Sequence, residues 1–311
     1  MSKIALIFPG QGAQTVGMGK DLYDKYSRAR EIIDLADSEL KKIIFNGPEE
    51  TLRLTHYTQP AIFTVSVAAF ETFKESFKGG SSVEFIAAGH SLGEYSALCA
   101  AGFFEFADGL AMVKARGEFI QKAAEKNPGL MVAILGMEKS AVEDVCKKAS
   151  RFGVCEAVNF NSSEQIVIAG TISAINKAVR FAIDAGATKT VFLNVSGPFH
   201  SSLMTSASEK MAEELAKYNF NAPSFGVYTN CDAAFTFDVS VIKEKLVKQI
   251  MSPVNWDESM KNIIAAGFDK FVEIGPGRVL SRLLKRMNRY KKVLNVDDSK
   301  SLQRTLEDLN I

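Results

Sequence analysis

The strand positions of this chain are continuous apolar runs rather than alternating ones: Ile4 to Phe8, Phe85 to Ala88 and Lys270 to Ile274. A strand with two apolar faces must be covered on both sides, as in a parallel sheet held between layers of helices. Helical stretches intervene, among them Pro60 to Phe77, Phe106 to Glu125, Met204 to Tyr218 and Val241 to Met251. Strands alternating with helices predict an α/β fold. The rhythm changes in the middle of the chain. Leu130 to Leu135 reads as a strand and Lys139 to Ala149 as a helix. Val154 to Val158 and Gln165 to Ala169 read as two strands joined by a short polar loop. Ile172 to Asp184 is helical up to Gly186, and Thr190 to Val195 is a last strand. That β-α-β-β-α-β order is ferredoxin-like. It predicts a small domain at residues 127–196, inserted into a larger α/β body made of residues 1–126 and 197–311, with a cleft for a ligand between them.

Composition removes several classes of function. Lys and Arg total 37 against 36 Asp and Glu in 311 residues. This balance lacks the basic excess of a nucleic-acid binder, so no nucleic-acid partner is expected. Four cysteines without a Cys-x-x-Cys spacing and only three histidines make a metal site hard to assemble, and none is expected. No apolar run approaches the ~18 residues that would span a bilayer. The first run closes at Pro9-Gly10 and is too short for a signal-peptide core. A cytoplasmic protein with reduced thiols and no membrane contact is the expectation.

The sharpest chemical signal is Gly89-His90-Ser91-Leu92-Gly93, between a strand ending at Ala88 and a helix through Leu98. Gly-x-Ser-x-Gly in that setting is a nucleophile elbow: the turn lifts the Ser91 hydroxyl off the sheet at a helix N-terminus. There the N–H of Leu92 can face a developing oxyanion. A plain Gly-rich turn with a helix-capping Ser is the alternative. A second turn, Phe8-Pro9-Gly10-Gln11-Gly12-Ala13-Gln14, follows the first strand. It fails the dinucleotide pattern at Thr15 and the P-loop pattern at Gln14 and Asp21. Either it is a tight strand-to-helix turn, or it supplies a second oxyanion donor, the N–H of Gln11. Serine needs a base. Of His56, His90 and His200, only His200 stands on a loop after a strand downstream of the serine, where this chemistry places its histidine. In the predicted helix Phe106 to Glu125, Arg116 falls between Val113 and Ile120 on the apolar stripe. A cation there needs an anion, either a structural Asp or Glu or a bound one, unless its stem carries it out to solvent.

With these segments in view the chain resembles the malonyl-CoA:acyl carrier protein transacylase family of fatty acid synthesis, nearly end to end. The resemblance rests on Phe8 to Gln14, Gly89 to Tyr95, Arg116, Phe199-His200, Gln249 and Glu273-Ile274-Gly275-Pro276-Gly277. It implies a hydrolase-like domain carrying a ferredoxin-like insert. It implies Ser91 as nucleophile, His200 as general base and acid, and the N–H groups of Gln11 and Leu92 as the oxyanion hole. Arg116 would bind the malonyl carboxylate, and the backbone carbonyl of Gln249 would orient His200 in place of a third acid. Phe199 would favour malonyl over branched units. Asn159-Phe160-Asn161 resembles a substrate-contacting loop, although Ser162-Ser163-Glu164 departs from the Pro-Gly more often found there. Malonyl-CoA and acyl carrier protein are the implied substrates, with no cofactor, and a monomer is expected. The carrier is expected to be acidic. A basic stretch with Arg278, Arg282, Lys285, Arg286, Arg289, Lys291 and Lys292, together with Lys189, offers it a docking face, or is simply a solvated helix face. The rivals are a serine esterase, a polyketide acyltransferase and a carrier-binding module with a dead site.

Overall fold

The computed structural model describes residues 2–79, 83–288 and 291–309; Arg289 lies outside them. The strands are β1 (Ser2–Phe8), β2 (Val83–Gly89), β3 (Gly129–Leu135), β4 (Cys155–Ser162), β5 (Gln165–Thr171), β6 (Lys189–Phe192), β7 (Val227–Tyr228), β8 (Phe235–Thr236), β9 (Lys270–Ile274) and β10 (Lys292–Val296). Six form one sheet in the order β10-β9-β1-β2-β7-β8. Its first five strands run parallel, and β8 adds an antiparallel edge. Ile4, Leu6 and Phe8 of β1 face one buried cluster with the helix Thr55–Ser76, whereas Ala5 and Ile7 face another with the helices Trp256–Ala265 and Val279–Met287. Burial on both faces is why β1 carries an unbroken apolar run.

The second sheet has the order β4-β5-β3-β6 and is antiparallel throughout. Its strands lie between Gly129 and Phe192, with the helices Lys139–Ala149 and Ile172–Asp184 between them, which is the ferredoxin-like arrangement. Val132 and Ile134 of β3 pack under these helices, while Met131 and Ala133 join the core of the first sheet. The period of two thus assigns alternate residues to two different cores.

Five element bounds depart notably from the sequence expectation. The helix read from Pro60 begins at Thr55, with Pro60 inside it. One lost ladder bond is offset by burial of nearly every side chain from Thr58 to Phe73. The helix read as Met204 to Tyr218 spans Thr205–Leu215, and that read from Val241 spans Val239–Gln249. Strand β6 stops at Phe192 rather than Val195. The most consequential difference is in β4, which runs to Ser162 instead of ending at Val158. Asn159-Phe160-Asn161 is therefore strand and not loop, and only Ser163 and Glu164 turn the chain into β5. Register shifts at Ala157/Asn159 and Phe160/Ser162 bulge this strand. The backbone of Phe160 donates to Val254 O and that of Val254 to Val158 O, both at 2.9 Å, tying the second sheet to the segment after helix Val239–Gln249.

Candidate active site

Strands β1 and β2 pair in parallel with Phe8 opposite Gly89, so their C-terminal loops emerge side by side. The His90 N–H donates to Phe8 O at 3.0 Å and continues the pairing by one step. This brings the Gln11 loop beside Ser91. The elbow closes tightly: a Cβ on Gly89 would sit 1.9 Å from the Gly93 carbonyl, and one on Gly93 would sit 2.1 Å from Phe8 O. Only glycine fits at either position. Between them Ser91 takes a left-handed φ of 53°, a conformation that costs a non-glycine residue about 1 kcal/mol or more and that an elbow uses to expose its hydroxyl.

Ser91 Oγ lies 2.8 Å from His200 Nε2. The other ring nitrogen, Nδ1, lies 2.8 Å from the backbone carbonyl of Gln249. A carbonyl only accepts, so Nδ1 carries the proton and Nε2 is left as acceptor for the Ser91 hydroxyl. His200 also has a positive φ, 62°. Burial, reinforced by the Arg116 guanidinium and by His90, holds His200 down at about 3, against a partial lift from the Gln249 carbonyl. The ring is consequently neutral, and able to accept a proton, throughout the neutral range. The acid limb of kcat/KM for Ser91 acylation, which reports the free enzyme, is expected below pH 5. Because burial also raises Glu94 beside Gln249 to about 7, an inflection between pH 6 and 7 that persists in Glu94→Gln would show an ordinary histidine at this position.

Arg116 reaches the same point from helix Phe106–Lys126 and is 1% exposed. Its stem does not carry the charge to solvent. It donates to Gln59 Oε1 at 2.6 Å, Gln249 Oε1 at 2.9 Å and Ser91 Oγ at 3.3 Å. No carboxylate lies within ion-pair distance of it among the described residues, and its Nε has no partner among them. Burial lowers its pKa, yet a guanidinium stays protonated. The result is a buried cation with neutral neighbours in contact, next to a hydroxyl that is hydrogen-bonded to a neutral histidine.

A small cavity joins Ser91, Leu92, Gln11, Arg116, Phe199 and His200, with Ile120, Met204 and Ile250 as its apolar wall. A larger cleft of about 310 Å³ opens from Gln11 between the two sheets, lined by Asn159, Asn161, Val279, Arg282 and Arg286 among others. The structure therefore gathers Ser91, His200, Gln11, Leu92, Arg116, Phe199 and Gln249 at one point and sets Asn159 in the adjoining cleft. Lys285 is exposed at the end of helix Val279–Met287, and Lys189 is exposed on β6. Glu273, within the quoted Gly-Pro-Gly segment, accepts from the N–H groups of Leu280 at 2.9 Å and Ser281 at 2.7 Å. It caps the helix that carries Arg282, Lys285 and Arg286.

The acyl transferase domain family matches residues 5–308 of this chain. Malonyl CoA-acyl carrier protein transacylase of Bacillus subtilis is 43% identical over 99% of the chain and 98% of that protein. The chain belongs to the malonyl-CoA–acyl carrier protein transacylase family. An acyl-carrier-protein-S-malonyltransferase from Bartonella henselae superposes with a TM-score of 0.95 at 37% identity, covering 100% of both chains. A malonyl-transacylase solved in complex with its type II PKS acyl-carrier protein gives 0.94 at 37% identity, over 99% of this chain and 100% of that one.

Three polar residues of this candidate site were not among the sequence candidates. Gln59 holds one arm of Arg116. Asn230, after β7, accepts from the Ser91 N–H at 2.7 Å and donates to Gly89 O at 2.6 Å. Glu94, in the first turn of the elbow helix Gly93–Ala101, is 1% exposed. His90 bonds Asn161 Oδ1 through Nε2 at 2.8 Å, facing away from the nucleophile. Among the described residues no group of His, Cys, Asp and Glu is arranged to hold a metal ion, and no helix is long and apolar enough to cross a membrane.

Proposed function

We propose that this chain transfers the malonyl group of malonyl-CoA to the phosphopantetheine thiol of acyl carrier protein through an ester on Ser91. The observation that carries the reading is the buried Arg116, free of any contacting carboxylate among the described residues and 3.3 Å from the hydroxyl that His200 activates. As Ser91 Oγ attacks the thioester carbon, its proton passes to His200 Nε2. The oxyanion develops against the N–H groups of Gln11 and Leu92. The carbon–sulfur bond then breaks, and the departing CoA sulfur takes the proton from His200. The carrier thiol runs the same steps in reverse, with His200 as its base. Exchanging one thioester for another is nearly isoenergetic, so a nucleophile, a base and an oxyanion hole suffice.

Asn159 supports a place for the pantetheine arm in the wider cleft. Its Oδ1 has no hydrogen-bond partner among the described residues, which leaves an acceptor for an amide N–H. Phe199 narrows the wall beside Ser91 and would disfavour a branched acyl group. The neighbour solved with its acyl-carrier protein supports a carrier as the second substrate. We read residues 127–196 as an inserted domain forming one wall of the cleft, and the protein as a cytoplasmic monomer feeding fatty acid synthesis. Intact mass spectrometry tests the central claim. Mixing with malonyl-CoA should add one malonyl group to the protein, and subsequent addition of holo carrier should remove it to the carrier. No adduct, or loss of the adduct to water alone, would overturn the assignment.

The docking face involves Lys285, Arg286 and Lys189. Because Arg286 also lines the cleft, its replacement is expected to weaken both substrates, whereas Lys285 is separable. Lys285→Glu should raise KM for the carrier roughly 3- to 10-fold and leave KM for malonyl-CoA in place, as for a rim charge that meets an acidic partner. Equal changes in the two constants would remove Lys285 from the docking face.

A further inference from the structure

We propose that Glu94 is a positioning residue of this site: its carboxylate holds Gln249 and Asn230 in the arrangement that aims Arg116 and braces the Ser91 elbow. The inference rests on the roles of Ser91 and Arg116 proposed above. One oxygen of Glu94, Oε2, accepts from Gln249 Nε2 at 2.7 Å and from the Asn230 N–H at 3.2 Å. Gln249 Nε2 also donates to Ser91 O at 2.8 Å, while Gln249 Oε1 accepts from Arg116. The amide thus lies between an acceptor-only side, made of a carboxylate and a carbonyl, and a donor-only guanidinium. Flipping it would set acceptor against acceptor and donor against donor, so it has one stable orientation. Glu94 supplies the charge-assisted bond of this set.

Gln249 acts on the site at two points: its side chain meets Arg116 and its backbone carbonyl meets His200. Asn230 acts at a third, gripping Ser91 N and Gly89 O. A single carboxylate oxygen therefore ties the helix Val239–Gln249 and the loop after β7 onto the elbow. Burial raises Glu94 to about 7, opposed by the bonds from Gln249 and Asn230 and by the Arg116 charge. No Lys or Arg forms an ion pair with it among the described residues. A carboxylate held in so unfavourable a place, with its bonds directed at the residues that contact Ser91, Arg116 and His200, is placed for alignment rather than for surface ion pairing.

The readout is the ratio of Ser91 acylation rates from malonyl-CoA and acetyl-CoA, since only malonyl uses Arg116. Two substitutions that keep the site filled carry the test. Glu94→Gln can offer its amide oxygen to the same two donors; it should keep the malonyl-to-acetyl ratio within about 3-fold while the rates fall modestly. Glu94→Asp draws the acceptor back by one methylene. It should lower the ratio by roughly 10-fold or more, and adding Gln249→Leu should lower it little further, because the two act through one contact. A ratio preserved in Glu94→Asp, a ratio lost in Glu94→Gln, or independent effects of Glu94→Asp and Gln249→Leu would each overturn the proposal while leaving the transferase reading intact. A wild-type protein that forms no acyl-serine would overturn both.

Discussion

Ser91→Ala is expected to abolish the malonyl adduct and to reduce malonyl transfer by a factor on the order of 10⁴–10⁶, as in other sites where nucleophile and base act as a unit. The substitution removes one oxygen. That oxygen donates to His200 and accepts from Arg116, but the elbow is held by other bonds. The Ser91 N–H stays on Asn230 Oδ1, the Ser91 carbonyl stays on Gln249 Nε2, and Asn230 Nδ2 keeps Gly89 O. Alanine tolerates the φ of 53° no worse than serine does, because both carry the same Cβ. The fold should therefore survive with its melting temperature nearly unchanged, which a thermal scan run beside the activity assay would establish. Transfer at the wild-type rate by a folded Ser91→Ala protein would place the nucleophile elsewhere. His200→Ala leaves Ser91 without a base and should cost on the order of 10²–10⁴.

The parts of the site that were legible in the sequence are those that local geometry demands. Gly89 and Gly93 announce the elbow because a side chain at either would meet backbone within 2.1 Å or less. Arg116 announced itself as a charge on an apolar stripe; of the two outcomes the stripe left open, burial and an outward stem, the structure has burial. The parts that stayed hidden are contacts between distant segments. Glu94 meets Asn230 across 136 residues and Gln249 across 155. In a sequence, Glu94 is simply an acidic residue in a first helical turn, where the macrodipole alone would accommodate it. The partner of His200 Nδ1 is a backbone carbonyl, and a carbonyl is present at every residue. Only the family resemblance pointed to position 249. The extension of β4 through Asn161 was hidden for a related reason. Polar Asn159 and Asn161 read as loop, but tertiary pairing with β5 and with Val254 overrides their low strand propensity.

Arg116→Ala is expected to invert the selectivity of the enzyme. The guanidinium has two terminal nitrogens in play: one donates to Gln59, the other to Gln249 and Ser91 Oγ. All three acceptors are neutral, so the charge is unmatched by any contacting group among the described residues. Burying a cation in this way is costly unless an anion arrives, and under the proposed function a malonyl group would bring a carboxylate to this position with its thioester carbon at Ser91. Guanidinium and carboxylate are both planar and match as a two-point fork. Acetyl has no carboxylate, and for it the cation is only an obstacle beside the nucleophile. Loss of a buried charged pair is worth about 3–5 kcal/mol, so Arg116→Ala should lower kcat/KM for malonyl-CoA by roughly 10²–10⁴ while acetyl-CoA holds or improves. Arg116→Lys should recover part of the malonyl rate, since a point charge restores attraction without the fork. The depressed pKa of His200 owes part of its depression to Arg116. Removing that cation should therefore shift the acid limb of acetyl transfer upward, toward the ordinary histidine value, which is a second and independent measure of the same contact. A common fall for both thioesters with no movement of the limb would make Arg116 a structural residue and leave the malonyl carboxylate without a partner.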